Sequence, residues 1–277
     1  MLTTITANGK TLDLSSPNVM GILNLTPDSF YAGSRKQTAE EIAARTEQIV
    51  AEGATIIDAG AMSTRPGGDF VTLEEEMRRM REGLAIVRNV APDAWLSIDT
   101  FRPDVARMAV EEFGADIIND VSEGGRTGLE GVALSETWEQ TMFQMMGRLQ
   151  VPYILMSVQP DVETMTSSWI HEVSELRKLG VSQIILDPGY GFGKTLEGNY
   201  AVLKRQQELI DTFRLPLLAG VSRKRMIWQL LGSNADEALN GTTAVNMLAL
   251  SQGASILRVH DVKAAAETIR IFNAYSL

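Results

Sequence analysis

IILDPGYGFGKT, residues 184–195, runs from an apolar segment through an acid into a glycine-rich loop. Gly189, Gly191 and Gly193 alternate ahead of Lys194 and Thr195, which invites a phosphate-loop reading. Such a loop needs a glycine five positions before its final Gly-Lys pair, so that backbone N–H groups close around the phosphates. Here that position is Pro188, which has no N–H. The dinucleotide fingerprint fails as well, because its third glycine position holds Leu196. What remains is a buried strand ending at Asp187, with glycines that bend the backbone away and leave room for a ligand at a barrel rim.

The same pattern recurs on both sides. VMGILNL (19–25), TIIDAG (55–60), WLSID (95–99), DIINDV (116–121), YILMSV (153–158), LLAGVS (217–222) and SILRVHD (255–261) are short apolar runs. Near-continuous runs of this kind suit strands buried on both faces of a parallel sheet. Between them lie amphipathic stretches such as AEEIAARTEQIVAEG, LEEEMRRMREGLAIVRNV and PDVARMAVEEFGA, several ending at glycine as helices do. Eight strand signals alternating with helical ones describe an α/β fold, a (β/α)8 TIM barrel. No linker or composition shift divides the chain, so a single domain spanning 1–277 is expected. Residues 1–17 alternate around Asn8-Gly9 and read as a β-hairpin with a type I′ turn that plugs the N-terminal end of the barrel. The Met-rich stretch TWEQTMFQMMGRLQ, in the poorly legible region 123–150, reads as a core-facing helix.

Composition narrows the function. The chain of 277 residues carries a net charge of −10, which disfavours nucleic acid or an anionic membrane as partner. There are no cysteines, which excludes disulfides, thiol catalysis and Cys-ligated zinc. No signal peptide or membrane-spanning run is visible, so a cytoplasmic location is expected. If the ligand is an anion, a few placed basic residues must hold it against the overall charge.

Those residues fall where a barrel builds its active site, at the C-terminal ends of the strands. In chain order they are Asn24, Asp58, Asp99, Asn119, Ser157, Asp187, the Ser222-Arg223-Lys224 run, and Arg258 with His260. Singly, each has a plain alternative as a strand cap or salt-bridge partner. Their convergence on one rim calls for a polar ligand. The loops 24–34 and 63–68 are rich in Pro, Gly and hydroxyls and suit mobile lids, the second carrying Arg65. His171 lies in a helical stretch and reads as a surface or structural residue, whereas His260 is strand-terminal.

The segments MGILNLTPDSF (20–30), STRPGG (63–68), SIDTFRPDVA (97–106), IINDVS (117–122), DPGYGFGK (187–194), GVSRK (220–224) and RVHDV (258–262), in this order, resemble dihydropteroate synthase over essentially the whole chain. The resemblance implies that 4-aminobenzoate displaces diphosphate from 6-hydroxymethyl-7,8-dihydropterin diphosphate, giving 7,8-dihydropteroate for folate synthesis. It implies pterin contacts from Asp99, Asn119, Met156, Asp187, Phe192, Gly220 and Lys224, with Arg258 stacked on the ring. Phe30, Thr64, Pro66 and Ser222 match the 4-aminobenzoate pocket, where sulfonamides compete. Asn24, Arg65, Arg258 and His260 match diphosphate contacts, and Asn24 also matches a ligand of Mg²⁺. Arg65, Lys224, Arg258 and His260 would carry the catalytic charge stabilisation, and a homodimer is the family habit.

Three departures stand out. Strand five ends in Met156-Ser157 where the family has Met-His. The first loop reads Tyr31-Ala32-Gly33-Ser34 in place of an aspartate and paired glycines. The second is approached through Ala61-Met62. Two rivals therefore accompany the synthase reading: a pterin-dependent methyltransferase, which needs no anion site, and a pterin-binding paralogue without turnover.

Overall fold

The computed structural model describes residues 2–25, 34–62, 71–125 and 141–276. The chain opens with an antiparallel hairpin of β1 (Thr4–Ala7) and β2 (Lys10–Asp13). Asn8 and Gly9 at its tip have φ of 51° and 74°, the two positive values that a type I′ turn requires. Eight strands follow: β3 (Asn18–Asn24), β4 (Ile56–Gly60), β5 (Trp95–Asp99), β6 (Ile117–Asp120), β7 (Tyr153–Met156), β8 (Ile184–Asp187), β9 (Leu218–Ala219) and β10 (Ile256–Val259). They form one parallel sheet in the order β8-β7-β6-β5-β4-β3-β10-β9. Its two edges meet at the bridge between Leu186 and Leu217, so the sheet curls into a nearly closed barrel.

Helices α1 (Ser34–Ala51), α2 (Leu73–Val90), α3 (Pro103–Phe113), α4 (Met142–Leu149), α5 (Val162–Lys178), α6 (Leu196–Lys204), α7 (Gln206–Phe213), α8 (Arg225–Trp228), α9 (Leu239–Ser251) and α10 (Val262–Tyr275) fill the connections among the described residues. Local sequence sets many of their ends. Thr72 caps α2 through the Glu75 N–H, and Pro103 opens α3, which stops at Gly114 in a left-handed conformation. Thr141 and Gln144 form a reciprocal capping box on α4, which buries Met142, Phe143, Met145 and Met146 as expected of a core-facing helix.

Side chains two apart on a strand share a face, and here that period builds the interior in tiers. The lowest inward-facing residues, Met20, Ile56, Trp95, Ile117, Ile154, Ile185, Leu218 and Ile256, come one from each strand. Ile5, Leu12 and Leu14 of the hairpin region pack beneath them, so the hairpin does plug the N-terminal end. Outward-facing neighbours such as Ile57, Leu96, Ile118, Leu155, Leu186 and Leu257 join the second cluster, between sheet and helices. Burying each such side chain contributes about 1.5–3 kcal/mol.

Candidate active site

Moving two residues up each strand from the apolar floor replaces hydrocarbon with polar groups. The inward positions become Ile22, Asp58, Ser97, Asn119, Met156, Asp187, Gly220 and Arg258. Two residues higher, at the mouth, stand Asn24, Gly60, Asp99, Ser222 and His260. The alternation that seals the barrel below therefore presents the expected polar residues in one place above.

Asp58 is the hub of this tier. Fully buried, it accepts from Ser97 Oγ at 2.6 Å, Asn119 Nδ2 at 3.1 Å and Arg258 Nε at 2.6 Å. Arg258 also reaches upward, with Nη2 2.6 Å from Asp99 Oδ2. Burial works against the charge of the guanidinium, but the Asp58 and Asp99 carboxylates more than offset it and raise its pKa. Asp58 thereby orients both Asn119 and Arg258. The Asn119 amide nitrogen must face the Asp58 carboxylate, which leaves Asn119 Oδ1 turned elsewhere. Among the described residues, neither Asn119 Oδ1 nor Asp99 Oδ1 has a hydrogen-bond partner, although both are buried. Asp99 and Asn119 are register neighbours on β5 and β6. Two adjacent acceptors without donors are a built docking edge for a ligand that carries N–H groups.

The opposite wall comes from β8, β9 and the loops that follow them. Asp187 Oδ1 accepts the Gly189 N–H at 2.8 Å, and burial pushes its pKa up against the field of Lys224. Lys224 Nζ donates to the Tyr190 carbonyl and sits 4.5 Å above the Phe192 ring. Burial lowers the Lys224 pKa to about 8, with Asp187 opposing the shift. Burial likewise raises Asp99 to about 7, with Arg258 opposing it. Met156 pairs in register with Asp187 and is buried. Gly220 has open space toward Lys224 Nζ, 3.9 Å from where a Cβ would stand.

Lys194, whose neighbouring glycines suggest a phosphate loop, donates instead to the carbonyls of Phe192 (3.1 Å), Gly189 (3.2 Å) and Ser157 (3.4 Å). It is a staple inside the 187–194 loop, and burial lowers its pKa to about 8.

At the mouth, Ser222 Oγ accepts from the His260 N–H at 3.1 Å and lies 3.2 Å from its Nδ1. Asn24 is exposed at the end of β3. His171 is exposed on α5, as expected.

Two expectations need correction. Arg223 does not join the rim cations, because its guanidinium grips Asp261 at 2.8 and 2.9 Å and donates to the carbonyls of Ala235 and Asp236. Its left-handed backbone, φ 54°, turns the side chain away while Ser222 and Lys224 stay inward. Arg258 is a structural bridge between two carboxylates before it is anything else. Asp58, read only as one rim residue among several, proves to organise the tier. Its signal was available, since an acid inside the apolar run TIIDAG must find partners. Phe30, Thr64, Arg65 and Pro66 lie outside the described residues, as do positions 31–33. Ala61 and Met62 are buried.

Comparison with known proteins agrees with this geometry. Residues 20–260 match the family described as pterin binding enzyme. The dihydropteroate synthase of Escherichia coli K12 is 38% identical over 272 residues, covering 97% of this chain and 95% of that protein. The Xanthomonas albilineans dihydropteroate synthase solved with 4-aminobenzoic acid superposes with a TM-score of 0.87 at 32% identity, covering 100% of this chain and 99% of its own. A Yersinia pestis dihydropteroate synthase in a sulfonamide complex gives a TM-score of 0.83 at 35% identity, covering 99% of each chain. The acceptor edge at Asp99 and Asn119, the buried Asp187–Lys224 wall and these full-length likenesses make the chain a member of the pterin-binding enzyme family, within its dihydropteroate synthases.

Proposed function

We propose that the barrel mouth condenses 6-hydroxymethyl-7,8-dihydropterin diphosphate with 4-aminobenzoate, releasing diphosphate and 7,8-dihydropteroate. The observation that carries this reading is the pair of buried, unpartnered acceptors, Asp99 Oδ1 and Asn119 Oδ1. A pterin presents adjacent ring and exocyclic N–H donors that satisfy both. Asp187 and Lys224 take the opposite edge, Lys224 donating to the ring carbonyl, with Met156, Gly220 and Phe192 as walls. The planar Arg258 guanidinium stacks on the ring while holding Asp99 in place.

The reaction breaks the bond between the pterin methylene carbon and the diphosphate oxygen, and its electron pair leaves on the diphosphate. The amine nitrogen of 4-aminobenzoate forms the new bond and then loses a proton. Positive charge on the pterin side and negative charge on the leaving group develop together. Groups that hold these apart and stabilise each lower the barrier. Asn24, Arg65 and His260 receive the diphosphate. Arg258 contributes mainly its field, since Nε and Nη2 are committed to carboxylates. Ser222, Phe30, Thr64 and Pro66 form the 4-aminobenzoate pocket, in which sulfonamides compete.

Mg²⁺ fits this donor set. Among the described residues no group of three His, Asp or Glu side chains is placed to cage a metal. Mg²⁺ characteristically takes one or two protein oxygens and completes its shell with phosphate and water. The exposed amide oxygen of Asn24 serves as the protein ligand, and the ion would neutralise charge on the departing diphosphate. No helix among the described residues is long and apolar enough to cross a membrane, which supports a cytoplasmic setting. Leu230, Leu231, Leu239 and Leu248, all at least 40% exposed along α8 and α9, support self-association as a homodimer.

The deciding experiment measures diphosphate release from the pterin substrate with Mg²⁺, with and without 4-aminobenzoate. Release that depends on 4-aminobenzoate and matches dihydropteroate formation is expected, and chelation with EDTA abolishes it. Pterin binding without release would point instead to a binding paralogue. Methyl transfer in place of diphosphate release would point to the related methyltransferases.

A further inference from the structure

Beyond β6 the chain turns through Ser122–Gly125, and within that turn Glu123 is 2% exposed with φ 50°. A side chain held in the left-handed region costs free energy, so something must hold it. The holding contacts are on its carboxylate: Oε1 accepts from Ser157 Oγ at 2.7 Å and from the Val158 N–H at 2.9 Å. These are the first residues past β7, at the position where the family resemblance expects a rim imidazole.

Ser157 is in turn the template for the next loop. Its N–H donates to the Asp187 carbonyl at 2.9 Å, and its own carbonyl accepts from Lys194. That carbonyl also abuts Gly189 so closely that no Cβ fits between them. Gly189 and Phe192 offer their carbonyls to the same Lys194, and Phe192 and Tyr190 together seat the Lys224 ammonium. A continuous series of short contacts thus joins Glu123 to Lys224 through the end of β7 and the 189–192 turn.

We propose that Glu123 is a positioning residue for pterin recognition, acting through Ser157 and Val158 on the turn that aims Phe192 and Lys224 at the ring. The Glu123–Ser157 pair is the form this chain gives to a strand end that elsewhere in the family carries an imidazole. The proposal rests on the pterin reading given under Proposed function. It separates the two substrates, because the contacts lead to the pterin wall and leave the Ser222–His260 side of the mouth untouched.

The test is the split between the two KM values in Glu123→Ala, Glu123→Gln and Ser157→Ala. Glu123→Ala strands the Val158 N–H and the Ser157 hydroxyl, so the KM for pterin diphosphate is expected to rise about tenfold, with the KM for 4-aminobenzoate within about twofold of wild type. Glu123→Gln keeps an acceptor oxygen and restores most of the loss. Ser157→Ala removes one bond of two and raises the pterin KM about threefold. A pterin KM in Glu123→Ala within about twofold of wild type, or an equal rise in both KM values, would overturn the proposal. Should Glu123→Ala fail to fold, Ser157→Ala decides by the same split: a pterin-only rise supports the proposal and wild-type values overturn it. Calorimetric titration of 6-hydroxymethylpterin into wild type and Ser157→Ala needs no turnover. An enzyme that binds this probe but releases no diphosphate contradicts the synthase reading alone, while the affinity ratio of the two proteins still reports on positioning.

Discussion

Asp99 and Lys224 face the same ligand from opposite walls, and burial drives their pKa values toward each other, to about 7 and about 8. The ionised carboxylate is the form that accepts from Arg258 and the pterin at once, and the protonated amine is the form that donates. Affinity is therefore lost as pH falls through the Asp99 value and again as pH rises through the Lys224 value. A bell-shaped profile of kcat/KM for the pterin substrate, with limbs near 7 and 8, is expected from initial-rate measurements. In Asp99→Asn the acid limb disappears and in Lys224→Ala the alkaline limb weakens, each with a large drop in kcat/KM. Arg258 makes a second residue-scale prediction. Asp58 is fully buried, so Arg258→Ala leaves an unpaired carboxylate inside the barrel and costs about 3–5 kcal/mol in denaturant unfolding. Arg258→Lys cannot bridge both acids and recovers only part of the stability and little of the pterin affinity.

The parallel strand is the element that places this chemistry, and its two-residue period does most of the sorting. A residue such as Leu186 faces the helices while Ile185 faces the floor and Asp187 the ligand. The loops after the strands carry the next level of control. Gly189 (φ 64°) sits against the Ser157 carbonyl, whereas Gly232, also at φ 64°, has nothing within 4 Å. Gly232→Ala therefore meets backbone strain alone, about 1–2 kcal/mol. Gly189→Ala meets the same strain and a collision, and is expected to unfold at a lower temperature than Gly232→Ala. It should also bind 6-hydroxymethylpterin more weakly, as read by calorimetry. Equal melting temperatures for the two variants would show that the contact with Ser157 is slack.

Across the whole molecule the two ends of the barrel do different work. At the N-terminal end the buried Asp116 accepts from Lys10 Nζ at 2.6 Å, Asn8 Nδ2 at 2.9 Å and the Leu96 N–H at 2.9 Å, with Arg88 at 3.4 Å. This ties the plugging hairpin to β5 and β6, and Lys10 also lies 5.3 Å over the Trp95 ring. Asp116→Ala is expected to destabilise the fold by about 2–4 kcal/mol, partner exposure keeping the loss below that of a fully buried pair. The kcat of the folded protein should stay at its wild-type value, because the opposite end of the barrel holds the chemistry. A change in kcat without a change in stability would contradict that division.

Much of this arrangement was legible without coordinates. Apolar runs of strand length between amphipathic segments dictate alternating strands and helices, and an acid or amide ending each run marks the rim. Burial and periodicity are local properties of a chain, so the barrel, the hairpin with its Asn8-Gly9 turn and the strand-end residues Asp99, Asn119, Asp187 and Arg258 could be read directly. Partner choice is a different kind of property, because a hydrogen bond joins residues far apart in sequence. Only the closed barrel makes Asp58 the hub for Arg258, 200 positions away, sends Arg223 to Asp261, turns Lys194 into a loop staple and sets Glu123 beneath Ser157. Residue type and spacing determined which groups reach the mouth. Three-dimensional packing decided which of them pair with one another and which acceptor oxygens are left for a ligand, because a buried polar group must be satisfied by whatever the fold brings within reach.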